Sequence, residues 1–209
     1  MIKVQGVTKK FGEQHVLSGV TLEIEKSEWV CFFGNSGCGK TTLLNTMAGV
    51  LKSDSGTVTR YSKRIGYVFQ HDNLLEWKTV EENLMFALLS YFGKKPAEEY
   101  SREWLVKLGL YDFRNKRPGE MSGGMKRRLN IARALAIHPD ILFLDEPFAF
   151  LDEDNIDRIK GFIVDLVSSR ATVVVMVTHS LEHLSGIPHR LIRINDADLP
   201  IRISSNSDS

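Results

Sequence analysis

Gly34-Asn35-Ser36-Gly37-Cys38-Gly39-Lys40-Thr41-Thr42 follows the apolar run Trp29-Val30-Cys31-Phe32-Phe33 and leads into a helical pattern over residues 43–50. A strand, a glycine-rich loop and a helix start in that order make the G-x-x-x-x-G-K-[ST] cradle for phosphate. Glycines let successive backbone N–H groups converge on anionic oxygens, and the helix N-terminus adds its partial positive charge. Lys40 is expected to reach the β- and γ-phosphates, Thr41 to offer its hydroxyl to Mg²⁺, and Thr42 to hydrogen-bond a phosphate from the next position. A chance glycine turn does not account for the spacing and the strand-to-helix setting together.

The 209 residues suffice for one sizeable core with a second lobe inserted in it. Lysines and arginines number 27 against 26 acids, a net charge of +1, so no global field points to nucleic acid or to an anionic membrane. Apolar runs such as 84–89 and 173–177 fall far short of the about 20 residues that span a bilayer. The chain is therefore expected not to cross a membrane by itself. Its first seven residues read as a strand rather than a secretory signal. The two cysteines, Cys31 in a buried strand and Cys38 in the phosphate loop, are too close and too functionally placed for a staple, which suits a reducing cytoplasm.

Residues 2–7, 20–24 and 29–33 read as short strands, with Phe11-Gly12 and Lys26-Ser27 as turns. Phe11, ahead of the phosphate loop, either stacks on an adenine face or packs on the core; base stacking on an aromatic ring is worth about 1–3 kcal/mol. Strands are expected at 57–59 and 65–69. The second ends on Gln70, which either ligates Mg²⁺ or positions a water, or is merely solvated. Helix formers then dominate, with helices expected over 80–89 and 96–108. The apolar run 84–92 is read as packed, and Leu74, Leu75 and Trp77 before it as an exposed contact. Farther on, Met125, Leu129, Ala132 and Ala136 share helical spacing, which sets Lys126, Arg127 and Arg133 on other faces, read as solvated. Ser122-Gly123-Gly124 at the start of that helix forms a second anion site: a hydroxyl, closely approaching backbone and a helix N-terminus.

Phosphate loop, strand-end glutamine, S-G-G helix start and Ile141-Leu142-Phe143-Leu144-Asp145-Glu146-Pro147, in this order, resemble the nucleotide-binding subunit of an ABC transporter over residues 2–193. The resemblance implies an α/β, RecA-like P-loop NTPase core with an N-terminal antiparallel β subdomain and an inserted α-helical subdomain. Residues 1–209 would then be one domain, with 1–72 and 138–209 forming the nucleotide-binding core and 73–137 the helical part. The family's L-S-G-G-Q pattern carries Met121 and Met125 at its ends here. The S-G-G-M form and Leu74-Leu75-x-Trp77-x-Thr79-Val80-x-x-Asn83 are similar to the branch importing nitrate, sulfonates and taurine, although Glu76 stands where that branch commonly has proline.

The acidic motif also makes chemical sense alone. Asp145 ends an apolar strand where open α/β sheets bind ligands, so it can hold Mg²⁺ through water while Glu146 accepts a proton from the attacking water. Phe148-Ala149-Phe150-Leu151-Asp152 resembles the family's S-x-L-D loop, which implies that Asp152 communicates across a dimer; locally, Asp152 can cap the helix carrying Ile156 and Ile159. Residues 171–177 read as a buried strand ending on Thr178-His179-Ser180, where His179 resembles the switch histidine that contacts the γ-phosphate. Residues 191–203 supply final strands, 204–209 a polar tail that frays, and no regulatory domain is expected.

The resemblance further implies ATP as ligand, a head-to-tail pair of identical subunits, transmembrane permease partners, a solute-binding protein acting indirectly, no nucleic acid, and a place on the cytoplasmic face of the membrane. A soluble regulator or DNA-maintenance ATPase with the same head, an exporter subunit, or a nucleotide-binding module without turnover are the other readings. The long coiled coils of the chromosome-maintenance relatives and the two heads of the translation-factor relatives are absent from this sequence.

Overall fold

Val173-Val174-Val175-Met176-Val177 offers no polar face to water. In the computed structural model, which describes residues 1–194 and 200–204, it lies in the central strand of a five-stranded sheet. The strands in chain order are β1 (Ile2–Phe11), β2 (Gln14–Ile24), β3 (Trp29–Gly34), β4 (Ser55–Arg60), β5 (Ile65–Val68), β6 (Ile141–Asp145), β7 (Val173–Thr178) and β8 (Arg190–Ile194). The helices are α1 (Lys40–Ala48), α2 (Val80–Leu88), α3 (Lys94–Lys107), α4 (Gly123–Leu135) and α5 (Glu153–Arg170).

Strands β5-β6-β7-β3-β8 form a parallel sheet and β2-β1-β4 an antiparallel one, the P-loop NTPase architecture expected from the sequence. Alternate residues of the parallel strands enter two different cores, as a pleat of period two requires. Cys31, Leu142, Leu144, Val174 and Met176 join the core that includes α2 to α5. Val30, Phe32, Ile141, Phe143, Val173 and Val175 join the core with β1, β2 and α1. Register pairs Val68 with Leu144, Asp145 with Val177 and Phe33 with Thr178. The carboxyl ends of β3, β5, β6 and β7 therefore share one edge, where α/β sheets take ligands.

Several boundaries differ from the sequence reading. β1 runs to Phe11 and β2 begins at Gln14, because the outer face of this sheet tolerates the polar residues that made both look shorter. β7 begins at Val173, since Ala171 takes a left-handed conformation (φ 55°) to end α5. The apolar run after Thr79 is amphipathic rather than fully packed: Leu84 and Leu88 are buried, whereas Phe86 and Leu89 are about half exposed. Trp77 is exposed as expected, but Leu74 packs against the core. Of the expected final strands, β8 forms and Ile201 bridges to Leu17; residues 195–199 and the tail 205–209 lie outside the described residues. Among the described residues no helix is long and apolar enough to cross a membrane.

Candidate active site

A cleft of about 200 Å³ at the carboxyl edge of the parallel sheet is lined by Ser36, Gly37, Gly39, Lys40, Thr41, Thr42, Gln70 and Glu146. Gly39, the N-cap of α1, has φ 97°, and a Cβ there would meet Val16 Cγ1 at 2.6 Å, so the turn into the helix needs glycine. Unlike α2, α4 and α5, α1 has no side chain capping its first amides, and unlike α2 and α5 it has no acidic residue in its first turn. Those N–H groups are available to an anion in the cleft. Lys40 is nearly buried, its Nζ donating to the carbonyl oxygens of Gly34 and Asn35 at 2.7 Å each. Gly34 ends β3 beneath the loop, and the side chain of Cys38 is buried, leaving the backbone of that residue as its contribution to the loop.

Thr41 Oγ1 donates to Asp145 Oδ1 at 3.1 Å, joining the helix start to the end of β6. Burial pushes the Asp145 carboxyl above its ordinary value, the Thr41 hydrogen bond opposes that, and the neighbouring Glu146 charge adds to it. The hydroxyl of Thr41, the Asp145 carboxylate and the amide of Gln70, which lines the same cleft, are the hard oxygen donors that Mg²⁺ prefers. Their chemistry fits that ion.

Glu146 has φ 47°, an uncommon conformation for a residue with a side chain, held by its N–H donating to Val177 O at 3.1 Å. Strain of this kind costs on the order of 1–3 kcal/mol and persists where the surroundings over-determine it. Here it turns the carboxylate into the cleft. Oε1 sits 2.9 Å from His179 Nδ1 and Oε2 accepts from Thr178 Oγ1 at 3.3 Å. His179 itself is largely exposed at the rim.

Arg127 is the correction that matters most. The sequence reading set it on a solvated face, yet it is 1% exposed. Its Nε donates to Pro147 O at 2.9 Å, Nη1 to Phe69 O at 2.6 Å and Asp72 Oδ1 at 3.2 Å, and Nη2 to Asp145 O at 2.9 Å and to Glu146 O. One planar fork thus braces the backbone behind Asp145, Glu146 and Gln70. Burial lowers the guanidinium pKa and Asp72 opposes it, but the group stays charged. Ile131 and Ala134, four and seven residues on and both buried, were the signal in the sequence that this face of α4 points inward. Asn130, donating to Phe69 O and Asp72 Oδ1 at 3.3 Å each, belongs to the same missed network. Thr178, beneath Glu146, was missed too.

The remaining residues singled out from sequence do not line this cleft. Ser122 caps α4, its Oγ accepting from Met125 N at 3.3 Å, and Gly123 and Gly124 follow it beside Phe150. Asp152 caps α5 through Asn155 N at 2.9 Å, as its local reading required, and those hydrogen bonds hold its carboxyl below the usual range. Phe11 is 52% exposed at the end of β1, with Lys9 Nζ 5.6 Å from its ring centre, so its core-packing alternative fails.

Fold and phosphate loop together define a P-loop nucleoside triphosphatase. Residues 17–149, more than half of the chain, match the ABC transporter family. The chain is 38% identical to the lipoprotein-releasing system ATP-binding protein LolD of Bacteroides thetaiotaomicron, covering 95% of this chain and 99% of that protein. It is 36% identical to the taurine import ATP-binding protein TauB of Rhizobium johnstonii, covering 93% and 81%. It aligns with the dimeric structure of a post-hydrolysis state of an ATP-binding cassette bound to ADP and Pi at a TM-score of 0.87 and 29% identity, covering 98% and 97%. The chain belongs to the ABC transporter family, as an ATP-binding and ATP-hydrolysing subunit.

Proposed function

We propose that this chain powers a membrane transporter as a pair of identical copies, each ATP lying between the phosphate loop of one copy and the Ser122-Gly123-Gly124 helix start of the other. The observation that carries this is the separation of the uncapped start of α1 from the Ser122-Gly123-Gly124 start of α4. The cleft is lined from α1, Gln70 and Glu146, whereas the start of α4 lies outside it, although Arg127 of the same helix braces the back of that cleft. A two-fold, head-to-tail pair brings the two half-sites together twice.

In this reading residues 1–72 and 138–209 hold the nucleotide and residues 73–137 present the second half-site. Lys40 and the amides of α1 neutralise the β- and γ-phosphates, Gln70 and His179 orient the γ-phosphate and the attacking water, and Glu146 accepts the water's proton. Thr41, Asp145 and Gln70 would hold Mg²⁺, which when bound neutralises charge on the phosphate oxygens. Phe11 stacks on the adenine, Thr42 bonds a phosphate, and Asp152 relays closure between copies. A second cleft of about 240 Å³, where Phe86, Ala87 and Tyr91 of the α2 region meet Asp72, Asn130 and Arg133, together with exposed Trp77, suits a segment of a transmembrane permease. The subunit would then sit on the cytoplasmic face of the membrane, with a solute-binding protein acting through the permease.

The S-G-G-M helix start and the 74–83 loop favour import of a small anionic solute such as nitrate, a sulfonate or taurine. The similarity to a lipoprotein-releasing subunit supports an outward-directed transporter as the second reading. Purification with the membrane partner identifies which. Hydrolysis itself is tested by phosphate release with and without Mg²⁺: Lys40→Ala is expected to lower it at least about 100-fold, and unchanged kinetics would overturn the phosphate-loop assignment.

A further inference from the structure

Strand β5 lies at the edge of the parallel sheet and hands the chain on to Gln70, while α1, which carries Lys40 and Thr41, packs chiefly on β2, β3, β6 and β7. Among the described residues one hydrogen bond joins α1 to β5: Tyr67 Oη donates to Asn45 Oδ1 at 2.8 Å. The sheet prepares this reach. Tyr67 pairs in register with Phe143 of β6, and its ring stacks on those of Phe143 and Phe69 with centres 5.9 Å and 4.0 Å away. Asp145 is two residues beyond Phe143 and so on the same face of the sheet. On α1, Asn45 is four residues beyond Thr41 and so on the same side of the helix. Thr41–Asp145 and Asn45–Tyr67 are therefore two rungs, one helical turn apart, between one side of α1 and one face of β5 and β6.

Packing alone does not ask for the hydroxyl. Phenylalanine would fill the same stack, whereas a half-buried phenol has to be given a partner. Burial, with the Asp145 charge adding to it, pushes the Tyr67 pKa up, so the group stays a protonated donor.

We propose that Tyr67 and Asn45 are a positioning pair that sets the separation of Thr41 from Gln70, and with it the oxygen donors offered to Mg²⁺. This rests on the reading of Thr41 and Gln70 as Mg²⁺ ligands given above. Mg²⁺ demands near-ideal octahedral spacing, so donors on separate elements must be held to each other. The first rung holds Thr41 to Asp145; the second holds α1 to the edge strand that leads to Gln70.

The test uses the full chain carrying Glu146→Gln and measures the dissociation constant of a ribose-labelled fluorescent ATP in EDTA and at saturating Mg²⁺. The ratio of the two constants reports how far the ion tightens the nucleotide. Tyr67→Phe, which keeps both stacks, is expected to shrink that ratio about fivefold, the scale of one lost hydrogen bond, with the constant in EDTA within about twofold of the parent. Asn45→Leu should do the same, and the double variant should lose no more than either alone, since both remove one contact. A merely structural role would instead lower the thermal midpoint and weaken binding equally in EDTA and in Mg²⁺; that result overturns the proposal, as does an unchanged ratio in Tyr67→Phe or losses that multiply in the double variant. Each of these leaves the Mg²⁺ ligands standing. If Mg²⁺ fails to tighten the probe in the parent chain, the reading of Thr41 and Gln70 falls and the positioning pair with it.

Discussion

Nδ1 of His179 lies 2.9 Å from Oε1 of Glu146, so the carboxylate that follows β6 is held by the residue that follows β7. Thr178 steadies the other oxygen, and the strained backbone of Glu146 aims the group into the cleft. Replacing Glu146 with glutamine keeps the shape and removes the base. Phosphate release should fall at least about 100-fold, the scale of a lost general base, while equilibrium ATP binding stays within a few-fold. Turnover at the parent rate would remove the assignment.

His179→Ala removes a positioning contact rather than the proton acceptor. The expected result is a smaller fall in kcat than Glu146→Gln produces, with the Glu146 variant insensitive to adding it, because the two act as one unit. A double-variant kinetic cycle reads this; simple multiplication of the two losses would contradict it.

Arg127 ties three segments distant in sequence, so its removal should be felt first in stability. Arg127→Met takes the guanidinium donor from the carbonyls of Phe69, Asp145, Glu146 and Pro147 and from the Asp72 carboxylate, and Asn130 still reaches only Phe69 O and Asp72 Oδ1 among them. The expected loss is about 3–5 kcal/mol in urea unfolding, the range for breaking a buried ion pair from one side. Arg127→Lys should recover only part of it, since one ammonium cannot reproduce the planar fork. A loss under about 1 kcal/mol would mean that the guanidinium is not the brace described.

His138, between α4 and β6, has both ring nitrogens buried without a hydrogen-bond partner and lies edge-on to Tyr100, 5.2 Å between ring centres. Burial, then Arg170, with further help from Arg64 and Lys107, lowers its pKa, and Glu103 alone pulls the other way. Its folded pKa lies below the unfolded value of about 6.5, so the unfolded chain takes the proton first. The stability contribution is complete above about pH 6.5 and is lost as pH falls from there through the folded pKa. His138→Asn, whose side chain suits the φ of 52° at this position, should flatten the fall in urea midpoint between about pH 7.5 and 5.5. An equally steep fall in that variant would assign the acid sensitivity elsewhere.

What could be read from the sequence was what the chain arranges locally. The phosphate loop needs only consecutive residues, and Asp145 and Glu146 announce themselves by ending a wholly apolar strand. The parallel sheet follows from runs such as 173–177 that leave no face for water. Arg127 was misjudged because its acceptors come from the segments around Phe69 and Asp145, and no local pattern pairs an arginine with distant carbonyls. Phe86 and Leu89 were expected inside because six consecutive apolar residues hide which side of α2 faces out.

The central claim is that one copy's α4 start reaches the other copy's nucleotide. It is tested most directly with a photoreactive group on the γ-phosphate of ATP. Chains carrying Glu146→Gln are mixed with isotope-labelled chains carrying Lys40→Ala, which are not expected to bind ATP themselves. After irradiation with Mg²⁺, peptide mass spectrometry locates the adduct. The account predicts labelling at residues 122–126 of the Lys40→Ala chain; adducts confined to the ATP-binding chain itself would contradict it.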